Sequence, residues 1–179
     1  MNKIIIEDNF LDKDIFDSIK NTIFDGKGNT MNRSYSDVVF PWYMQNSKVT
    51  KEDNEMQLTH VFFRHHKVNS SFFDVLFPIF DKLNVKALHR VKANCTFKTN
   101  KKRLYEYHID IPVSKNKMVG KTSIFYLHTT NGPTFFKIGK KVDCVANRIV
   151  TFPNNTQHTG STHTDSLLRG VININWFYC

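Results

Sequence analysis

A change of hydrophobic period near Ala87 narrows the folds open to this chain more sharply than anything in its composition. Downstream, short β-branched and aromatic runs are separated by turn signals at Asn116, Asn131-Gly132-Pro133 and Asn154-Asn155. Upstream, "EDNFLDKDIFDSIKNTIF" sets Phe10, Leu11, Ile15, Phe16, Ile19 and Ile23 at helical spacing behind an acidic start, which predicts an amphipathic helix. "SSFFDVLFPIFDKL" predicts a second helix, N-capped by Ser70 or Ser71 and bent or shortened by Pro78. Between these two, Asp25 to His60 is polar and irregular, a length more typical of a functional lid or binding loop than of padding. Helices followed by strands predict an α+β architecture whose second part is a sandwich or barrel.

With 179 residues and 40% hydrophobic content, the chain can bury one core and is short for two. A single domain is expected, 1–86 supplying helical support and a substrate loop and 87–179 the β core. Few Gly and Pro residues exclude a disordered or low-complexity chain. No apolar run approaches the roughly 20 residues of a membrane span, and "MNKIIIEDNF" lacks the long apolar core of a signal peptide. A soluble intracellular protein is expected. Cys95, Cys144 and Cys179 show no metal-type pairing and suit reduced thiols, the first two reading as small core hydrophobes. The net charge of +9 reads either as attraction to nucleic acid or another anionic partner, or as a generally lysine-rich surface. The one dense cluster is Lys98 to Arg103.

The chemistry starts from "YHIDIP", Tyr107 to Pro112. On a strand, side chains alternate faces, so His108 and Asp110 point the same way and can reach one ion. Such a pair is common by chance and acquires meaning only with further ligands. "RIVTFPNNTQHTG" supplies His158 after a strand and a turn. Two imidazoles and a carboxylate from separate strands make the facial triad that suits non-haem Fe(II), with coordination positions left open. The last strand alternates Gly170, Ile172, Ile174 and Trp176 on one face with Arg169, Val171, Asn173 and Asn175 on the other. An apolar stripe backing a polar stripe headed by arginine fits a β-barrel with a polar ligand inside. Arg169 is placed to fork a carboxylate bidentately.

The set His108-x-Asp110, His158 and Arg169, with "SIFYLHTTNGPTFF" and "ANRIVTFPNNTQHTG" between, resembles the Fe(II)/2-oxoglutarate-dependent oxygenases, and most of all their prolyl-4-hydroxylase-like branch with its small phage and bacterial members. The resemblance spans about Arg90 to Phe177. It implies a double-stranded β-helix (jelly-roll) core buttressed by the N-terminal helices. It implies that His108, Asp110 and His158 hold Fe(II), that Arg169 binds the distal carboxylate of 2-oxoglutarate, and that O₂ is the third reactant. Tyr126, in "IFYLH", matches the family tyrosine that contacts the cosubstrate. Asn94, Thr96, Asn173 and Thr151 are further expected pocket groups, although many relatives carry a tyrosine near Thr96.

The expected activity is hydroxylation of a C–H bond in a peptidyl substrate, prolyl included, with release of succinate and CO₂. A free amino acid or other small molecule is the alternative substrate. Trp42 and Tyr43 in the 25–60 loop and "VSKNKMVGK" are the expected substrate contacts. Asn175 stands where nucleic-acid demethylases carry a second arginine, which argues against that branch. A monomer in the cytoplasm is expected, the host's if the chain is phage-encoded. Two rival classes stay open: a non-catalytic basic jelly-roll that binds nucleic acid, and a cupin-like Zn(II) or Mn(II) isomerase, which gives Arg169 no task. His163 is expected to be a loop histidine rather than a ligand, His65-His66 a half-exposed strand pair, and His128 a satisfied polar contact or a support for the ligands.

Overall fold

The computed structural model describes residues 3–24, 39–46, 56–111 and 120–177. In chain order the strands are β1 (Ile5–Glu7), β2 (Tyr43–Gln45), β3 (Gln57–Arg64), β4 (Lys67–Val68), β5 (Ala87–Phe97), β6 (Gly120–Tyr126), β7 (Thr130–Phe136), β8 (Lys141–Cys144), β9 (Ile149–Pro153), β10 (His158–Gly160) and β11 (Leu168–Phe177). The helices are α1 (Lys13–Phe24) and α2 (Phe77–Leu83). A large antiparallel sheet runs β1-β9-β6-β11-β5-β3-β2, with β4 paired to β3, and a small one runs β10-β7-β8. The two sheets enclose a shared interior, the jelly-roll arrangement.

Strand alternation explains the layering. On β6 and β11, Phe125, Ile172, Ile174 and Trp176 point one way and meet Phe16, Ile19 and Ile23 of α1. Ile124, Tyr126 and Val171 point the other way and meet Phe136, Val142 and Cys144 of the small sheet. A 12-residue helix is marginal alone in water. The apolar seam holds α1, each fully buried side chain of this size contributing about 1.5–3 kcal/mol. The apolar face of β11 is therefore covered by helix, and its polar face looks into the interior. Gly170 permits the close approach: a Cβ there would lie 2.3 Å from Phe24 Cζ.

The first helix starts later than its periodicity predicts. Ile5–Glu7 pairs with β9, Asn9 takes a positive φ, and Phe10 and Leu11 are buried ahead of the helix. The Asn147 side chain pins that turn, accepting Leu11 N–H at 2.9 Å and donating to Leu11 O at 2.7 Å. The second predicted helix divides into a 3₁₀ turn, Phe73–Leu76, and α2, with Pro78 in the first turn where its missing N–H is harmless. Ser70 accepts Phe72 N–H at 3.0 Å.

Two expectations are corrected. The irregular reading of Asp25 to His60 fails at Tyr43–Gln45, which forms β2 against β3, and at its end, because β3 begins at Gln57 and pairs along β5. Buried on both sides, β3 shows no period-two alternation to read. His65 and His66 are not strand residues; both take positive φ in the exposed turn between β3 and β4. Segments 25–38, 47–55 and 112–119 lie outside the described residues, and "VSKNKMVGK" falls almost wholly there.

Candidate metal centre

Backbone pairing brings His108 and His158 together. His108 N–H donates to His158 O at 3.0 Å and His158 N–H to His108 O at 3.1 Å, an isolated antiparallel bridge. Directly opposed residues of such a pair project to the same side, and the rings stand 4.7 Å apart. His158 opens β10, which is held to β7 through Phe136. Asp110 lies in a bend, so strand alternation is not what aligns it with His108. Two side chains of the large sheet do that work. Arg90 Nη2 donates to Asp110 Oδ1 at 3.2 Å and Asn175 Nδ2 to Asp110 Oδ2 at 3.0 Å. Arg90 and Asn175 are register partners on β5 and β11, and Arg90 Nε donates to Asn175 Oδ1 at 3.0 Å.

The outcome is three ligand atoms, from His108, Asp110 and His158, all within 4.8 Å of one another. His158 Nδ1 faces Thr156 O at 3.0 Å and His108 Nδ1 faces Glu106 O at 3.3 Å. A carbonyl can only accept, so each Nδ1 carries the proton and each Nε2 keeps its lone pair for a metal. Burial alone would raise Asp110, but the imidazole of His158, the Arg90 guanidinium and the Asn175 amide outweigh it and hold the carboxyl below 3.8. Burial holds His158 below its ordinary 6.5. At neutral pH the set is one carboxylate and a neutral buried imidazole, the protonation that ligation requires.

The triad borders a cavity of about 300 Å³ between the sheets. Arg169, 7% exposed, stands on its wall on β11, with Nε donating to Gly132 O at 2.9 Å and the guanidinium 5.8 Å over the Tyr126 ring. A side chain at Gly132 would be tight, since a Cβ would lie 3.0 Å from His163 Cβ and 3.1 Å from Thr162 O. Three buried polar atoms on the wall lack partners among the described residues: Asn94 Oδ1, Thr96 Oγ1 and Asn173 Oδ1. Each costs about 1–3 kcal/mol while unsatisfied. The threonine hydroxyl can donate, and a half-turn of either amide offers N–H donors instead. A divalent ion on the triad and a dicarboxylate reaching toward Arg169 therefore fit the residues present.

Other expected site residues are placed elsewhere. Tyr126 is fully buried and does not line the cavity; its hydroxyl donates to Thr134 Oγ1 at 2.7 Å and burial pushes it up to about 12. Its ring lies beneath the Arg169 guanidinium. Thr151 is engaged with Ser123 at 2.8 Å. Trp42 packs on Phe24 and Phe40, and its Nε1 donates to Ile23 O at 3.3 Å, so it is a packing residue of the helical layer. Tyr43 is exposed beside His60, away from the cavity. His163 is buried in a loop outside the triad, and His128 Nδ1 accepts Gly170 N–H at 3.1 Å. Sequence reasoning missed Arg90, and it noticed Asn175 only as the absence of an arginine. No local pattern marks either, because their role depends on strand register.

Asn175→Leu is expected to weaken metal binding about 10–100-fold while leaving the fold intact, because Asp110 loses an orienting donor. Anaerobic Fe(II) titration calorimetry with far-UV circular dichroism checks this; wild-type affinity in the variant would count against the network. A second expectation concerns pH. His158 and the buried His60, whose Nδ1 and Nε2 lie 2.7 Å from Pro41 O and Ser70 Oγ, are both held below 6.5 by burial. Above pH 6.5 the folded and unfolded chains keep both neutral; below it the unfolded chain takes protons first. Stability of the metal-free protein should fall as pH drops from 7 to 5, read as a declining Tm.

No family model matches the chain, and no curated protein matches its sequence. Solved structures do match in fold, among them prolyl hydroxylases and a 2OG-Fe(II) oxygenase family member. One neighbour is a prolyl hydroxylase from Trichoplax adhaerens, in complex with a hypoxia inducible factor oxygen degradation domain peptide fragment; it is 12% identical at a TM-score of 0.64, over 99% of this chain and 84% of that one. Another is the viral collagen prolyl hydroxylase of Paramecium bursaria Chlorella virus-1 as its 2OG complex, 13% identical at a TM-score of 0.61, over 98% and 96%. A 2OG-Fe(II) oxygenase family oxidoreductase from Burkholderia pseudomallei is 8% identical at a TM-score of 0.61, over 97% and 84%. At these identities the likeness is one of fold.

Proposed function

We propose that this protein is an Fe(II)- and 2-oxoglutarate-dependent dioxygenase that hydroxylates a C–H bond of a peptidyl substrate, with prolyl residues the first to test. The observation that carries the reading is the convergence of His108, Asp110 and His158 within 4.8 Å on a cavity whose wall also holds the buried Arg169. Bound there with 2-oxoglutarate, ferrous iron supplies the O₂-dependent oxidation that yields succinate, CO₂ and the hydroxylated product.

The chain's own work is binding, orientation and shielding. Both Nε2 atoms and the Asp110 carboxylate hold the metal, each oriented by a hydrogen bond to a carbonyl, to Arg90 or to Asn175. Arg169 pairs the distal carboxylate of 2-oxoglutarate, its face fixed by Tyr126 and its Nε by Gly132. Asn94, Thr96 and Asn173 contribute the lateral polar contacts. The rings of Phe152 and Phe136, 4.7 and 6.2 Å from His158, keep water from its buried side. A peptide substrate is supported by the fold neighbours, one solved with a peptide fragment and another a collagen prolyl hydroxylase. A cytoplasmic monomer, with nucleic acid a disfavoured partner, completes the proposal. Among the described residues no helix is long and apolar enough to cross a membrane.

Anaerobic addition of Fe(II) and 2-oxoglutarate should produce the weak visible absorption band of the chelate, and succinate should form with a prolyl peptide library under air. Absence of both would remove the proposal, and salt-sensitive binding of DNA without succinate would favour a basic binding module instead.

A further inference from the structure

One positive charge in the cavity has no assigned counterpart. Lys92 on β5 lines the cavity, yet it makes no hydrogen bond or ion pair with a described residue. Arg90, two residues earlier on the same face, is by contrast held by Asp110 and Asn175. Burial and the neighbouring Arg90 lower Lys92 to about 8, with Asp110 pulling the other way, so its charged form still predominates at neutral pH. Lys92 is half-buried, and a partly desolvated charge without a partner carries a cost that an anion brought in by a ligand offsets.

The charge of the cosubstrate falls short of this need. With a divalent ion on the triad and 2-oxoglutarate bound, the negative charge of Asp110 and two carboxylates would still be less than the positive charge of the ion, Arg169, Arg90 and Lys92, all of these side chains lining the cavity. Lys92 also stands apart from the Arg169 position. Its register partner on β11 is Asn173, whereas Arg169 is opposite Thr96, four residues and roughly 13 Å further along β5. On its other side β5 meets β3, whose Gln57 continues the cavity wall away from β11. Outside the cavity, exposed Lys98, Lys101, Lys102 and Arg103 lead into Tyr105 on the cavity wall, and the whole chain carries +9, a field that attracts acidic partners.

We propose that Lys92 binds a carboxylate of the substrate, so that the preferred substrate is an acidic peptide with Asp or Glu beside the hydroxylated residue. The assignment rests on the dioxygenase reading, which makes the triad the reacting end of the cavity. A neutral substrate would leave the half-buried Lys92 unpaired.

The test uses fluorescein-labelled prolyl peptides flanked by Asp or Glu, and their Asn or Gln counterparts. Binding is followed by anisotropy to the metal-free full chain and to the anaerobic Fe(II)–2-oxoglutarate form. The acidic peptides should bind about thirtyfold more tightly than the amides. Lys92→Met should erase that preference and Lys92→Arg restore most of it, with 2-oxoglutarate affinity, read from the visible band, the same in all three proteins. Equal binding of acid and amide peptides would overturn the proposal. So would a loss of 2-oxoglutarate affinity in Lys92→Met, which would make Lys92 a cosubstrate contact. Free aspartate or an oligonucleotide displacing the peptide at matching affinity would overturn the acidic-peptide assignment. A Lys92-dependent acid preference in a protein that shows no visible band would uphold the anion site while the dioxygenase reading fails.

Discussion

Asp110→Ala should lose ferrous-iron binding and, with it, all conversion of 2-oxoglutarate to succinate. The carboxylate is the single anionic donor of the triad, and its side chain is only 6% exposed, so water cannot replace its charge effectively. Removing one partner of a buried charge pair costs about 3–5 kcal/mol, roughly 10²–10⁴ in affinity. Anaerobic calorimetry reads the metal loss directly, and succinate release reads its consequence. The substitution also leaves the Arg90 guanidinium without its carboxylate, so the metal-free variant should melt below wild type. Asp110→Asn separates the two effects, since it keeps volume and one acceptor oxygen but not the charge. His158→Ala should match Asp110→Ala in turnover. Wild-type turnover in either alanine variant would contradict the metal assignment.

Arg169→Leu should raise the Kd for 2-oxoglutarate by about 10²–10³, within the roughly 2–5 kcal/mol expected when one member of a buried, hydrogen-bonded charge pair is removed. Metal affinity should change little, because Arg169 makes no contact with the triad residues among the described residues. Arg169→Lys should recover only part of the loss, for an ammonium cannot reproduce the planar two-pronged geometry. Titration of the visible band with 2-oxoglutarate at fixed Fe(II) gives the Kd. An unchanged Kd in Arg169→Leu would mean that the distal carboxylate is held elsewhere, and Lys92 would then be the next residue to examine.

Legibility from the sequence varied with how local each feature's cause is. The β11 stripes were readable because alternation is a property of one strand: Ile172, Ile174 and Trp176 cover the helical seam, while Arg169 and Asn173 face the cavity. The helix α1 was readable from its 3.6-residue period, but its start was not, since Ile5–Glu7 pairs with β9 across most of the chain length. The triad residues were recognisable by type and order. The reason given for their alignment was incomplete: His108 and Asp110 do not share a regular strand, and the bridge to His158 with the Arg90–Asn175 pair sets their geometry. The sequence did not separate Trp42, which packs on Phe24, from Tyr43, which is exposed, because an aromatic in a polar segment looks the same whether it packs or stands free.

What the sequence alone determined was the inventory: a helical layer over a β core, one carboxylate and two imidazoles of ligating type, and an arginine at the head of a polar stripe. Those follow from side-chain chemistry and from periodicities of two and 3.6 residues, which are local. Only the tertiary structure decided which polar groups close a network and which remain open. It set Arg90 against Asp110, turned Tyr126 toward Thr134, and left Lys92 and three buried oxygens facing the cavity. Hydrogen bonds and desolvation depend on which strands lie in register, and register is settled between segments distant in the chain.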